Sequence, residues 1–252
     1  MKLFNAKLLK YELKSQIKNW YVPFFGLIFP TLLSQLVVRN ALGDVPAQIL
    51  PRVHIQIYFT MLVYIPLCCV FLSHSYAYGY DVEKEIPLRM KLFGISKATQ
   101  ISCRLQSILI ISTLALIIFS TTFFASFTVP KTSAKAIIVS LLFFYALCIS
   151  LFLLAHSLAL IIRRSEETGG LAMGIYFFFL FISGGLGMDK DMMPKALQTV
   201  ASIFPFYHIS ESLGEYFYKD VNLAPLIQST VFFLLLCISI LYIGLHQEET
   251  RR

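Results

Sequence analysis

Few side chains in this sequence stand where they could do chemistry. Phe152 and His156 form an FxxxH, and the pair Glu166-Glu167 follows it. A glutamate-type intramembrane protease needs its paired glutamates ahead of FxxxH, with an Arg three or four positions beyond them. Here the order is reversed and those positions hold Gly169, Gly170 and Leu171. His74 and His156, with Ser73, Ser75 and Ser157 nearby, read as neutral imidazoles hydrogen-bonded between helices in preference to a proton or cargo site. No His or Cys pair has ligand spacing, so no metal site is expected. Gly184-Gly185-Leu186-Gly187 could suggest a phosphate cradle, but no Lys follows it and it ends an apolar run. It reads as close helix packing or a hinge. No GxxxxGK[ST] occurs, so the chain lacks that means of binding ATP.

The elements that must carry these residues are written in the composition. Hydrophobic residues make up 57% and charged residues 14%, and the mean hydropathy is +0.72. That leaves too little polar surface to cover a soluble globule. The apolar residues gather into six runs, Tyr21 to Val38, Gln56 to Tyr78, Leu105 to Val129, Ala136 to Ile162, Gly169 to Met188, and Leu223 to Leu245. Each is near the ~20 helical residues that cross roughly 30 Å of hydrocarbon, and none contains Asp, Glu, Lys or Arg. Barrel strands would be shorter and alternating. The expected fold is an all-α integral membrane domain of six transmembrane helices covering residues 1–252.

Lys and Arg set its orientation. Fourteen of the 21 lie in the N-terminal segment, the second and fourth connections and the tail. Positive charge tends to stay in the cytoplasm, which places both termini there, in a multi-pass protein of the plasma (inner) membrane. The net charge of +7 then faces anionic lipid and needs no nucleic acid to explain it. Cys68, Cys69, Cys148 and Cys237 fall inside runs and Cys103 at a helix start, so no external disulfide framework is implied. Five lysines interrupt the first twenty residues, which argues against a cleavable signal.

Three segments outside the runs have patterns of their own. In residues 1–20, Ala6, Leu9, Leu13, Ile17 and Trp20 share one helical face beside Lys7, Lys10, Lys14 and Lys18. That is an interfacial helix anchored in membrane lipids, with Phe4, Leu8 and Tyr11 left for a second contact. Residues 81–100 are charged, yet Leu88, Leu92 and Ile95 recur at helical spacing between Pro87 and Gly94. A short amphipathic cytoplasmic helix is expected there, the alternative being a solvated turn. Residues 189–222 are too apolar for a solvated loop, and Pro205 divides them. They read as a re-entrant hairpin, or as a cap lying flat on the membrane.

With these features the chain resembles the permease subunits of type-two ATP-binding-cassette exporters. The basic amphipathic N-terminus is similar to that family's interfacial connecting helix. Glu83, Lys84 and Glu85, then Leu88, Arg89, Leu92, Gly94, Ile95 and Ser96, resemble its coupling-helix signature of an acidic-basic-acidic triplet, a leucine-containing turn, then Pro or Gly, an aliphatic residue and Ser. Gly184, Gly185, Pro194, Leu197, Gln198, Pro205 and Glu211 resemble its glycine-ended fifth span and re-entrant hairpin, an extracellular gate. The chain departs from the family where Ile86-Pro87 replaces Gly-Thr and Gly94 replaces Pro.

The resemblance implies a conduit of two copies, or this chain with a paralogue, and two copies of a cognate ABC ATPase subunit that binds ATP and Mg. The ATPase would push on the helix within residues 81–100 and on the N-terminal helix, with Glu83, Glu85, Arg89 and Lys91 as the charged contacts. Spans free of carboxylates, with neither a proton relay nor an acidic ion site, independently call for an outside energy source. The cargo reading is an amphipathic peptide, drug or lipid-like compound, with Tyr176, Phe177, Phe178, Phe179 and Phe181 of the fifth run either touching it or serving as packing bulk. A non-transporting sensor or scaffold is the competing class, followed by an intramembrane protease.

Overall fold

The computed structural model describes residues 4–19, 21–41, 45–185 and 193–250. Trp20, the Leu186-Gly187 end of the glycine run, the expected end of the fifth run at Met188, the start of the hairpin at Asp189, and Lys2, Lys190, Met192, Arg251 and Arg252 lie outside the described residues. Among the described residues every regular element is helical.

In chain order these are α1 (Ala6–Lys18), α2 (21–41), α3 (Leu50–Glu83), α4 (Ile86–Leu92), α5 (Lys97–Ser126), α6 (Ala134–Ile162), α7 (Ser165–Ile182), α8 (Lys195–Ile203), α9 (205–216) and α10 (Ala224–Thr250). By length and composition α3, α5, α6 and α10 can each cross a membrane, and α2 contributes a shorter apolar stretch, Phe24–Asn40. α7 carries Glu166 and Glu167 in its first turn and is not among the long apolar helices. Four of the six apolar runs are therefore long spans, and the first and fifth runs fall on the shorter helices α2 and α7.

α3 is the central post, with 83% of its most apolar stretch buried against 28% for α10. Two helices change pitch beside prolines. α2 is π-helical over Phe24–Ile28, just before Pro30, and α3 over Pro66–Leu72. Proline supplies no N–H to the i→i−4 ladder, and a wider turn rehouses the freed carbonyls. The two π segments meet where Gly26 lies against Cys69, so closely that a Cβ on Gly26 would sit 2.1 Å from Cys69 Sγ.

Ends are set locally. Asn5 Oδ1 accepts the Lys7 and Leu8 amides to start α1, and Ser133 Oγ accepts the Ala136 amide to start α6. Ile110, Leu114, Ile138, Leu142, Leu235 and Tyr242 form apolar faces on the outside of α5, α6 and α10. Faces of this extent belong against lipid or another transmembrane chain.

α1 turns Leu8, Glu12 and Gln16 inward, while Leu9 and Leu13 are half-buried and Ile17 is 62% exposed. The apolar stripe of the sequence is thus only in part the face that packs on the protein, with Leu13 against the core and Ile17 turned outward. Leu8 and the polar contacts of Glu12 and Gln16 hold the helix.

Candidate functional site

The segment between α3 and α5 shows how local chemistry shapes a projecting element. α3 ends at Glu83, and Glu85 adopts a left-handed conformation, φ 56°, before Pro87 opens α4 in the first helical turn. α4 stops in a Schellman motif. The Ile95 amide donates to the Met90 carbonyl at 3.0 Å and the Gly94 amide to Lys91 at 3.0 Å, with Gly94 at φ 81°. Two residues later Ser96 Oγ accepts the Thr99 amide at 3.2 Å and starts α5. Gly94 and Ser96, singled out by resemblance, therefore work as a helix stop and a helix start. Ile95 falls in the link between them, so the helical spacing Leu88, Leu92, Ile95 is honoured only by the first two.

No residue of α4 is buried. Leu88, Arg89 and Lys91 are exposed, Leu92 is 80% exposed, and Phe93, at the helix end, is 86% exposed. The helix is thus bounded by local backbone geometry at both ends and presents Leu88, Leu92, Phe93 and two cations on its surface. Phe93 went unremarked in the sequence because it stands off the Leu88–Leu92 line. Lys84 and Glu83 pair with each other at 3.1 Å. Glu83 has a second task inside the chain, since its Oε2 accepts the Ser165 amide at 2.9 Å and so caps α7.

Beneath α4 lies a polar network of which sequence reasoning anticipated only the hydrogen bonding of His74 and His156 between helices. Arg104 Nε donates to Glu12 Oε2 at 3.0 Å, its Nη2 donates to Asp81, and its guanidinium lies 5.3 Å from the ring centre of Tyr78. Ser73 Oγ donates to Gln16 Oε1 at 3.0 Å and accepts from Asn19 Nδ2 at 3.0 Å. His74 Nε2 and His156 Nδ1 are 3.3 Å apart, with His74 stacked on Phe152 and His156 on Tyr78. Lys97 pairs with Glu248, joining the start of α5 to the end of α10. α1, α3, α5, α6 and α10 are thus tied together by side chains around the root of α4. The visible signal was Glu12, a lone acid among lysines at helical spacing from Leu8 and Gln16.

The remaining motif residues gather at the other end of the bundle. α7 ends in a second Schellman motif, with Gly184 at φ 77° and the Gly185 amide donating to Leu180 at 3.1 Å. Tyr64 Oη donates to the Gly185 carbonyl at 2.7 Å, fixing the glycine pair on α3. The Pro194 carbonyl accepts the Leu197 and Gln198 amides at the start of α8, and Pro205 opens α9 after an extended Phe204. Phe179 stacks on Phe206 at 4.2 Å, and Phe204 and Phe206 both meet Phe233 of α10 edge-on. The start of α9 is therefore packed in protein between α7 and α10, while α8 buries Ala201 alone. Glu211 is half-buried, without a hydrogen-bond partner among the described residues. Tyr176 and Phe179 of the aromatic run are buried, whereas Phe177 and Phe178 are exposed.

The FxxxH and the paired glutamates are not brought together. His156 is enclosed by His74 and Tyr78, while Glu166 and Glu167 are exposed and Glu167 accepts from Arg164 at 2.8 Å. Among the described residues no three His, Cys, Asp or Glu converge as metal ligands.

Residues 52–245 match the family model described as ABC-2 family transporter protein. That match takes in α4, the glycine pair and both short helices, and leaves α1 outside it. No curated protein matches the chain.

Proposed function

The chain belongs to the ABC-2 transporter family, and from that membership we propose that it is the six-span transmembrane subunit of an ATP-driven exporter of the plasma membrane. Two such chains, identical or paralogous, form the conduit, and ATP and Mg are bound by a separate ATPase subunit, one copy beneath each. The observation that carries the reading is α4. It is a short helix with nothing buried, pinned by Gly94 and Ser96, that presents Arg89, Lys91, Leu92 and Phe93 away from the bundle.

The polar network gives such a contact somewhere to go. A displacement of α4 pulls on Glu83 and hence on the start of α7, and on Asp81 and Arg104 and hence on α1 and α5. Push and response are coupled only if the ATPase binds the two arrangements of the bundle with different affinity. Glu85, Arg89 and Lys91 serve as the charged contacts, and Leu92 and Phe93 as the apolar ones. The short helices α8 and α9, packed against α7 and α10, close the far end of the pathway. The cargo is an amphipathic peptide, drug or lipid-like compound, in keeping with spans that hold hydroxyl and aromatic groups and no charge.

The test is co-purification of the tagged chain with the product of any neighbouring reading frame that encodes GxxxxGK[ST], followed by ATP hydrolysis in vesicles with candidate peptides and drugs. The reading expects a complex whose hydrolysis is stimulated by cargo. An ATPase that fails to bind the chain, or hydrolysis indifferent to every cargo and to the chain itself, overturns it.

A further inference from the structure

At the end of the helices opposite α4, between α3, α5 and α6, lies a cavity of about 360 Å³. Its walls are almost wholly apolar, with Phe59, Leu116 and Phe144 in its depth. Phe124, Ile137 and Leu141 on its rim are 39%, 46% and 38% exposed, so it opens sideways on the outer surface of the bundle. α6 packs on α3 and α10 in preference to α5, which leaves this side unfilled. The cavity is at the small end of ligand pockets, which run from roughly 300 to 1,000 Å³. It suits one flexible chain better than a folded peptide.

The polar groups in and next to its lining decide what the chain is attached to. Tyr58 Oη and Ser120 Oγ satisfy each other at 2.8 Å, and Ser140 Oγ donates to the Ala136 carbonyl at 2.8 Å. Thr132 Oγ1 is buried with no hydrogen-bond partner among the described residues. An orphaned buried hydroxyl is costly unless something meets it. Lys131 and Lys135 stand exposed on either side of Thr132 in the chain, and neither pairs with a carboxylate among the described residues. A lining hydroxyl without an acceptor, and two cations without anions that neighbour the lining residues Pro130, Thr132 and Ile137 in the chain, together ask for an anionic head on an apolar tail.

We propose that this cavity binds one acyl chain of an anionic phospholipid from the leaflet opposite α4, with Thr132 donating to an ester or phosphate oxygen and Lys131 and Lys135 facing the phosphate. The site stands apart from the transport reading, because the lipid is a bound component of the fold and needs no ATPase.

Native mass spectrometry of the full chain released from non-ionic detergent tests it, with dioleoyl phosphatidylglycerol and dioleoyl phosphatidylcholine as the probes. One phosphatidylglycerol should be held about tenfold more tightly than phosphatidylcholine, and Lys131→Gln with Lys135→Gln should reduce that preference to about twofold. Ser140→Phe, which fills the cavity, should remove the tightly held molecule of either lipid while the melting temperature stays unchanged. Should that variant unfold, Thr132→Val decides the matter, with an expected loss of about fivefold in phosphatidylglycerol retention. Equal retention of the two lipids, or retention indifferent to these substitutions, overturns the proposal. So does a dimer of this chain that Ser140→Phe dissociates with lipid binding intact, since the face would then be covered by a second copy.

Discussion

Arg104 on α5 donates from Nε to Glu12 Oε2 on α1 at 3.0 Å, and both side chains are buried although 92 positions separate them. Asp81 takes a second bond from the same guanidinium, so one cation answers two carboxylates. Removing the cation and removing one anion therefore have unequal consequences. Arg104→Met leaves two acids with no counter-charge and should cost about 3–5 kcal/mol, the usual penalty for half of a buried pair. Glu12→Gln leaves a balanced Arg104–Asp81 pair and should cost clearly less, about 1–2 kcal/mol. The double variant should be less destabilised than the sum, because each single change removes the same contact. Unfolding of the purified chain in mixed micelles measures all three, and strict additivity would show that the two residues do not act as a unit.

The packing of α2 on α3 depends on a missing methyl. A Cβ at Gly26 would lie 2.1 Å from Sγ of the buried Cys69, while the Cys69 Cβ is 3.6 Å away, an ordinary contact. Gly26→Ala should cost about 1–3 kcal/mol through overpacking. Adding Cys69→Ala removes the offending atom and should restore the melting temperature to near that of Cys69→Ala alone. Failure of the second change to rescue the first would place the clash elsewhere.

The caps around α4 predict local loosening without global unfolding. A Cβ at Gly94 meets nothing within 4 Å, so Gly94→Ala carries only the conformational cost of φ 81°, about 1–2 kcal/mol. Gly94→Asn should cost less, since Asn tolerates that region. Ser96→Ala removes the cap at the start of α5 and should cost about 1 kcal/mol. Amide hydrogen exchange over residues 86–100 should be slowest in the wild type, faster in the Gly94→Asn chain and fastest in the Gly94→Ala chain, with the rest of α5 unchanged. Exchange rising equally along the whole chain would mean that the caps hold more than α4.

These three cases mark what the sequence discloses. Helix ends at Gly94, Ser96, Ser133 and Pro205 depend on neighbours within five residues, and residue type indicates the breaks at Gly94 and Pro205. The long spans are legible for a similar reason, because a bilayer imposes length and apolarity on each helix separately. Apart from the hydrogen bonding of His74 and His156 between helices, what links helices was not legible. Arg104 reads as a loop cation beside a span, and only the fold brings Glu12 and Asp81 to it. The apolar stripe of α1 also misleads about packing, since in a membrane protein the apolar face can belong to lipid and the polar one to the interior, as Ile17 and Gln16 show. The π turns beside Pro30 and Pro66 shift side-chain phase, and a spacing argument built on regular helices cannot follow them.

The surface of α4 yields the prediction that bears most directly on transport. Leu92 and Phe93 are so exposed, at 80% and 86%, that replacing them with Asp should move the stability of the isolated chain by no more than about 0.5 kcal/mol. If they anchor the ATPase, the loss is of another order. Central apolar anchors are worth about 2 kcal/mol or more, which weakens binding roughly thirtyfold. Arg89→Gln with Lys91→Gln should behave differently, slowing association and flattening its salt dependence, because rim charges act chiefly through encounter. Binding of the ATPase to the chain in nanodiscs, followed by association and dissociation rates at two salt concentrations, separates the two pairs. Undiminished binding by the Leu92→Asp, Phe93→Asp chain would show that the ATPase docks somewhere other than α4. It would also leave the exposure of these two side chains to be explained by lipid or by a second copy.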